Sequence, residues 1–144
     1  MRIVVLVGLP GSGKSTFLER TTSPGLSSDA VRKLLADDET DQSIHPRVFQ
    51  TIRYLLEQRL AIGRPVTYID ATSLTPEERA PYIEIARAHA AEIEAVFFDI
   101  SLEVCLARNA ARSRVVPADA LAKMAAKLVP PTFAEGFSKL TVIL

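Results

Sequence analysis

The sequence predicts an α/β protein built on a small doubly wound, mostly parallel sheet flanked by helices. Three observations carry this. Short β-branched apolar runs alternate with segments of helical periodicity along the chain. The first run, Ile3 to Val7, is apolar at every position, as a strand buried on both faces requires. A glycine-rich turn then leads from that strand directly into a helix. The 144 residues suit one domain, read as residues 1–144. A chain of this size buries roughly 68–70% of its unfolded surface, enough for a core without metal or disulfide staples.

After the Ile3–Val7 strand, a helix is expected from about Lys14 to Arg20. Pro24 and Gly25 break the pattern, and Leu26, Ser27 and Ser28 form a short strand ending at Asp29. Asp29 is placed to cap the next helix, through Val31, Leu34 and Leu35. Asp37 to Gln42 (DDETDQ) is a polar loop. A long amphipathic helix spans about Pro46 to Ile62. Val48, Ile52, Leu55, Leu56 and Leu60 form its buried stripe, and Gly63 stops it. Val66–Asp70 is the next strand. Thr75-Pro76-Glu77-Glu78 reads as a capping box with proline at the first helical position, and that helix continues to about Ala91. Glu94 to Ile100 is a further strand, and Ser101 caps a helix through Leu102, Cys105 and Leu106. Pro117 opens another helix to about Val129, where Pro130 and Pro131 end it. Leu140 to Leu144 reads as the last core strand.

Charge and composition exclude several classes. Lys+Arg and Asp+Glu number 17 each, so coating long duplex nucleic acid by charge is excluded, though handling one end of a strand is not. No apolar run approaches the ~18 residues of a membrane span, so no membrane partner is expected. The start MRIVVLVGLPGSGKS lacks a small-residue cleavage site. Cys105 is the only cysteine, which makes a reducing cytoplasm the expected setting.

Gly8-Leu9-Pro10-Gly11-Ser12-Gly13-Lys14-Ser15 fulfils the G-x-x-x-x-G-K-[ST] pattern between a strand and a helix, the context the motif requires. The loop from Gly8 through Gly11, Ser12 and Gly13 to Thr16 turns backbone N–H groups toward phosphate oxygens. Lys14 reaches the β- and γ-phosphates, and Ser15 offers its hydroxyl to Mg²⁺. ATP and Mg²⁺ are therefore the expected cofactors. A GTPase would need an Asn-Lys-x-Asp reader, and the only asparagine, Asn109, precedes Ala110. A large motor or AAA-type ATPase does not fit into 144 residues. The size, with Asp29 and Arg32 following the second strand, favours a P-loop kinase fold with a helical lid.

In open α/β sheets, ligands bind beyond the carboxyl ends of the strands, where Asp29 and Asp70 both fall. Asp29 suits the general base that takes the proton of an acceptor hydroxyl. Arg32, three residues on, suits a second phosphate on that acceptor. The same pair also fits a simple helix cap with a helical ion pair. Asp70 suits a water-mediated metal ligand or a turn residue. Arg108 and Arg112, four apart on a helix leading into a Ser113–Val116 turn, suit a lid over the triphosphate or a solvated helix face. His45 and His89 read as surface or helix-end residues, Asp99 and Cys105 as structural, and Asp37, Asp38, Glu39 and Asp41 as a solvated acidic loop.

Taken together, GLPGSGKSTF, SSDAVRKLLADDETDQ, YIDATSLTPEERAPYIEIA and VCLARNAARSRVVPADAL, in that order, resemble the 5′-OH polynucleotide kinase module of bacterial and phage polynucleotide kinase-phosphatases. The resemblance implies that Lys14 and Ser15 bind phosphate and metal. It implies that Asp29 is the general base, and that Arg32 grips the acceptor strand's phosphate. Asp70 matches an aspartate of a DATN-like segment, with Ser73 in place of asparagine. Arg108 and Arg112 match lid arginines, and Gln42 a glutamine near the adenine. The implied acceptor is the 5′-OH end of RNA or DNA, with separate phosphatase or ligase partners. The alternatives are a P-loop kinase of a small-molecule hydroxyl (nucleoside, sugar or antibiotic), or a non-catalytic nucleotide-binding module.

Lys14→Ala is expected to abolish transfer, because it removes the charge that neutralises the β- and γ-phosphates. A labelled-ATP assay checks this, and retention of more than about a tenth of wild-type activity contradicts the assignment.

Overall fold

The computed structural model describes residues 1–112 and 115–144. Along the chain run β1 (Arg2–Val7), α1 (Lys14–Glu19), β2 (Leu26–Ser27), α2 (Ser28–Ala36), α3 (His45–Ala61) and β3 (Val66–Asp70). They are followed by α4 (Pro76–Ala88), β4 (Glu92–Phe98), α5 (Leu102–Ala110), α6 (Ala118–Lys127), a 3₁₀ turn (Phe133–Glu135) and β5 (Lys139–Ile143). The strands form one sheet in the order β2-β3-β1-β4-β5, with every pair parallel. This is the doubly wound α/β architecture read from the sequence. No helix among the described residues is long and apolar enough to cross a membrane.

β1 lies at the centre, paired with β3 from Arg2↔Val66 to Val5↔Ile69 and with β4 from Arg2↔Glu92 to Val7↔Phe97. Its side chains alternate between two cores, which is why the run is apolar throughout. Ile3, Val5 and Val7 pack with the α3 stripe Val48, Ile52, Leu56 and Leu60 and with Tyr82 and Ile83 of α4. Val4 and Leu6 pack on the other face with Leu18 of α1 and with Val96 and Phe98. A third cluster of Leu9, Leu74, Cys105 and Leu121 ties α5 and α6 to the loops beyond β1 and β3.

Several sequence expectations shift, each for a local reason. Ser27, in extended backbone, caps α2 by accepting from the Ala30 N–H at 3.2 Å, so Asp29 falls inside the first turn and is not the cap. Of Val31, Leu34 and Leu35 only Val31 is buried. Thr75 caps α4 through the Glu78 N–H, but the Glu78 carboxylate accepts from Leu74 N–H at 3.0 Å, one residue before the cap. α4 ends at Ala88 rather than Ala91. Ala90 takes a left-handed φ of 52°, while Ala91 N–H bonds Ala86 C=O and Ala90 N–H bonds Arg87 C=O. That is a Schellman closure with alanine where glycine is usual. β4 accordingly starts at Glu92, two residues before the expected Glu94. β5 is an edge strand paired only to β4, with Val142 56% exposed, rather than a core strand.

Arg79, fully buried in α4, knits the sheet-end loops together. Its Nε and Nη2 donate to Glu135 at 2.8 and 3.1 Å, and its Nη1 donates to the carbonyls of Ser73 and Val129 at 2.9 and 3.0 Å. One guanidinium thus holds the loop after β3, the exit of α6 and the 3₁₀ turn. Arg79→Met is expected to cost about 3–5 kcal/mol, the usual penalty for breaking a buried pair from one side. Ile52→Val should cost about 0.5–1.5 kcal/mol. Denaturant unfolding of the two variants checks the order, and equal losses contradict the clamp.

Candidate active site

The phosphate-loop motif follows β1 and is anchored beneath by Gly8 N–H donating to the Thr72 carbonyl at 3.0 Å. Gly11 and Gly13 take φ of 82° and 107°, backbone that side chains rarely adopt. A Cβ on Gly11 would also stand 2.7 Å from the Cys105 carbonyl oxygen, so the loop is closed tightly over α5. The Lys14 ammonium curls into this loop and donates to the carbonyls of Gly8 and Leu9 at 2.6 and 3.0 Å. Burial pulls its pKa down to about 8, against the opposing pull of Asp70. The buried Ser12 Oγ has no hydrogen-bond partner. A partly buried cation whose hydrogen bonds, among the described residues, go to carbonyls fits a polyphosphate chain.

A cleft of about 1370 Å³ opens over this loop. It is lined by the expected Gly11, Ser12, Gly13, Lys14, Ser15 and Thr16, and by Asp29, Arg32, Gln42, Asp70, Arg108 and Arg112. Gly8 is not among the lining residues, and it meets the site through its carbonyl, which accepts from Lys14. The register Ser27↔Asp70 explains the meeting of two distant segments, since it sets the start of α2 beside the end of β3. Burial raises the Asp70 carboxyl above its ordinary value, and the nearby Lys14 charge opposes that rise. Ser15 and Asp70 offer the cleft a hydroxyl and a carboxylate, oxygen donors of the kind Mg²⁺ takes.

On the α2 side, Arg32 Nη1 lies 3.3 Å from Asp29 Oδ1. Arg32 is only 4% exposed, and its Nε has no hydrogen-bond partner. Gln42 sits in the α2–α3 loop, its carbonyl accepting from the His45 N–H, so it belongs to the Arg32 side of the cleft. In the same loop Asp38 and Asp41 each accept from the residue two positions on, Thr40 and Ser43. On the far side, Arg108 lies on α5, while Arg112 follows the end of that helix. The charge of Arg112 reaches Lys14 and contributes to lowering its pKa. The expected Ser113–Val116 turn includes Ser113 and Arg114, which lie outside the described residues.

Sequence reading missed three residues here. The buried Asn109 accepts from Val116 N–H at 3.0 Å and donates to Val116 C=O at 2.7 Å, fastening the segment that enters α6. His45 and Phe49 line the cleft: His45 is the exposed helix-start residue that was expected, and its place on the cleft wall is what was missed. Their i, i+4 spacing at a helix start was the available signal; only the α2–α3 packing shows which way they face.

Residues 3–131 match the family model described as an AAA domain. The expectation that an AAA-type ATPase does not fit into 144 residues is corrected on that point, because the chain matches an AAA domain over most of its length. A Chloroflexus aurantiacus protein described provisionally as a kinase superposes with a TM-score of 0.76 at 14% identity, covering 99% of this chain and 86% of its own. A gluconokinase from Sinorhizobium meliloti gives 0.63 at 23% identity, covering 97% and 80%. The Mycobacterium tuberculosis APS kinase, solved with AMPPNP and APS, gives 0.60 at 19% identity, covering 98% and 87%. The chain therefore has the fold of P-loop kinases.

The lowered Lys14 pKa sets a pH dependence. The free protein loses this charge as pH rises through about 8, whereas a bound polyphosphate keeps the ammonium protonated. ATP affinity should be flat below neutrality and weaken by up to about tenfold per pH unit above pH 8. Calorimetry at fixed Mg²⁺ checks this. Lys14→Arg, which stays charged, should remove the fall, and an unchanged fall in that variant contradicts the assignment.

Proposed function

We propose that this chain, which belongs to the AAA domain family, is an ATP- and Mg²⁺-dependent kinase acting on a hydroxyl of a small acceptor that carries an anionic group. The observation that carries the reading is the buried Arg32 guanidinium, with an unpartnered Nε, in the cleft shared by the phosphate loop and Asp29. Arg32 lines the cleft, and its planar, permanently charged fork matches a phosphate or carboxylate placed there. Two neighbours of the same fold support a small acceptor, since one is a gluconokinase and the other an APS kinase.

In this reading Lys14, the loop N–H groups, Arg108 and Arg112 hold the phosphates of ATP. Ser15 and Asp70 hold Mg²⁺, which neutralises charge on the transferring group. Asp29 accepts the proton of the acceptor hydroxyl as its oxygen bonds the γ-phosphorus and the γ-phosphorus–bridging-oxygen bond breaks, releasing ADP. Arg32 holds the acceptor's anion, which fixes the hydroxyl beside Asp29. The asymmetry of the cleft suits this division, with the phosphate loop and lid arginines on one side and α2 on the other.

A second reading, transfer to the 5′-OH end of RNA or DNA, is favoured by the likeness of SSDAVRKLLADDETDQ to the polynucleotide kinase module. There Arg32 would hold the phosphate 3′ of the terminal sugar, and separate phosphatase or ligase partners would follow. A binding module without transfer has no use for Asp29 beside an anion-gripping arginine.

Steady-state kinetics of two variants test the proposal. Asp29→Asn should keep ATP binding and lower kcat by about 10²–10⁴. Arg32→Ala should lower kcat/KM for the acceptor by about 10–10²-fold, the worth of a charge-assisted contact, with the ATP KM nearly unchanged. Paired acceptors with and without the anion, gluconate against a neutral sugar and a 3′-phosphorylated nucleoside against the bare nucleoside, separate the two readings. Equal use of both members of each pair by the wild type contradicts the role of Arg32.

A further inference from the structure

Arg32 does not face the cleft alone. His45 opens α3 opposite it, and His45 Nδ1 lies 3.5 Å from Arg32 Nη2. Phe49, one turn along α3, packs its ring 4.7 Å from the imidazole at a tilt of 49°, which limits how that ring can turn. All three side chains line the cleft that holds the phosphate loop and Asp29. Two nitrogen groups that repel one another when both are charged thus share one wall of the cleft.

We propose that His45, its ring held by Phe49, is a specificity-determining residue that grips the acceptor's anionic group together with Arg32. This rests on the kinase reading above and narrows it, because the acceptor's anion must reach α3 as well as α2. Without that anion, partial burial and the Arg32 charge lower the imidazole pKa, and Lys127 of α6 lowers it further while Glu78 of α4 raises it. Asp29 faces the same guanidinium, and Glu39 of the α2–α3 loop lines the same cleft. An anion between His45 and Arg32 reverses the balance and favours the imidazolium. Acceptor binding therefore draws part of a proton from solvent onto His45, at most about half for a one-unit shift. The sign follows: a neutral imidazole in the free protein and a charged one in the complex make affinity rise as pH falls.

The chain has two histidines, so His89, at the C-terminal end of α4, is an internal reference. The experiment follows both imidazole signals by NMR between pH 6 and 8 in protein loaded with Mg²⁺ and AMPPNP. The probes are gluconate and a 5′-hydroxyl dinucleoside monophosphate, whose charges are constant over this range. At least one probe should raise the His45 midpoint by about one unit and leave His89 unmoved. Its affinity should then tighten by up to about tenfold from pH 8 to pH 6. His45→Gln should lose this pH dependence and keep AMPPNP affinity within about twofold of wild type. The proposal is overturned if neither probe moves His45, or if His45→Gln keeps the full pH dependence. Should the wild type still transfer phosphate in that case, the kinase reading stands and only the role of His45 falls. Absence of transfer to every paired acceptor overturns the kinase reading itself.

Discussion

The parallel pairing of β1 on both of its edges is the constraint from which the rest of the structure follows. A strand bonded to β3 on one side and β4 on the other, and covered by helices on both faces, has no freedom to shift register. A slip of one residue would exchange Ile3, Val5 and Val7 with Val4 and Leu6 between two differently shaped cores. The phosphate loop therefore leaves the sheet at a fixed height. Gly8 is bonded to Thr72 there, so the loop after β3 is carried to the same place. Arg79 holds that loop from behind through the Ser73 carbonyl, and through Val129 and Glu135 it brings the exit of α6 to the same end.

The electrostatics of the cleft follow from this convergence. In a chain with no net charge, the strand ends gather Lys14, Arg20, Arg32, Arg108 and Arg112 against Asp29, Glu39 and Asp70. The excess is cationic, and two of these cations, Lys14 and Arg32, are incompletely matched. Among the described residues Lys14 donates to carbonyls alone, and Arg32 shares its fork between one half-exposed carboxylate and a histidine. Both arrangements are costly in the free protein, and each is relieved by an anion. Two such places in one cleft suit a reaction that joins a polyphosphate to an anionic acceptor better than they suit simple nucleotide storage.

Much of this was legible in the sequence, because the informative patterns are local. An unbroken apolar run followed by GLPGSGKS specifies strand, loop and helix within fifteen residues. The α3 stripe was readable from its 3.6-residue period, and β3 from its β-branched run. The features that were not legible depend on tertiary packing or on backbone conformations without a signature residue. Ala90 in a left-handed helix cap leaves no glycine to find. Whether Ser27 or Asp29 caps α2 depends on where β2 stops, and whether Leu140–Leu144 is core or edge depends on what covers it. His45 looks like any helix-end histidine until α2 lies across from it. The proposed division of the cleft between ATP and acceptor was visible only in part, because the α3 wall comes from a segment whose pattern announces packing alone.

The central claim, that this cleft joins a nucleotide γ-phosphate to a hydroxyl on an anion-bearing molecule, is tested most directly by one transfer screen. Wild-type protein, Mg²⁺ and γ-labelled ATP are incubated with sugar acids, 3′-phosphorylated nucleosides, 5′-OH oligonucleotides and uncharged hydroxyl compounds, and label on each acceptor is counted. The account predicts transfer to at least one anionic class and about 10–10²-fold less to its uncharged counterpart. Tight ATP binding with no label on any hydroxyl, or equal label on charged and uncharged acceptors, contradicts it.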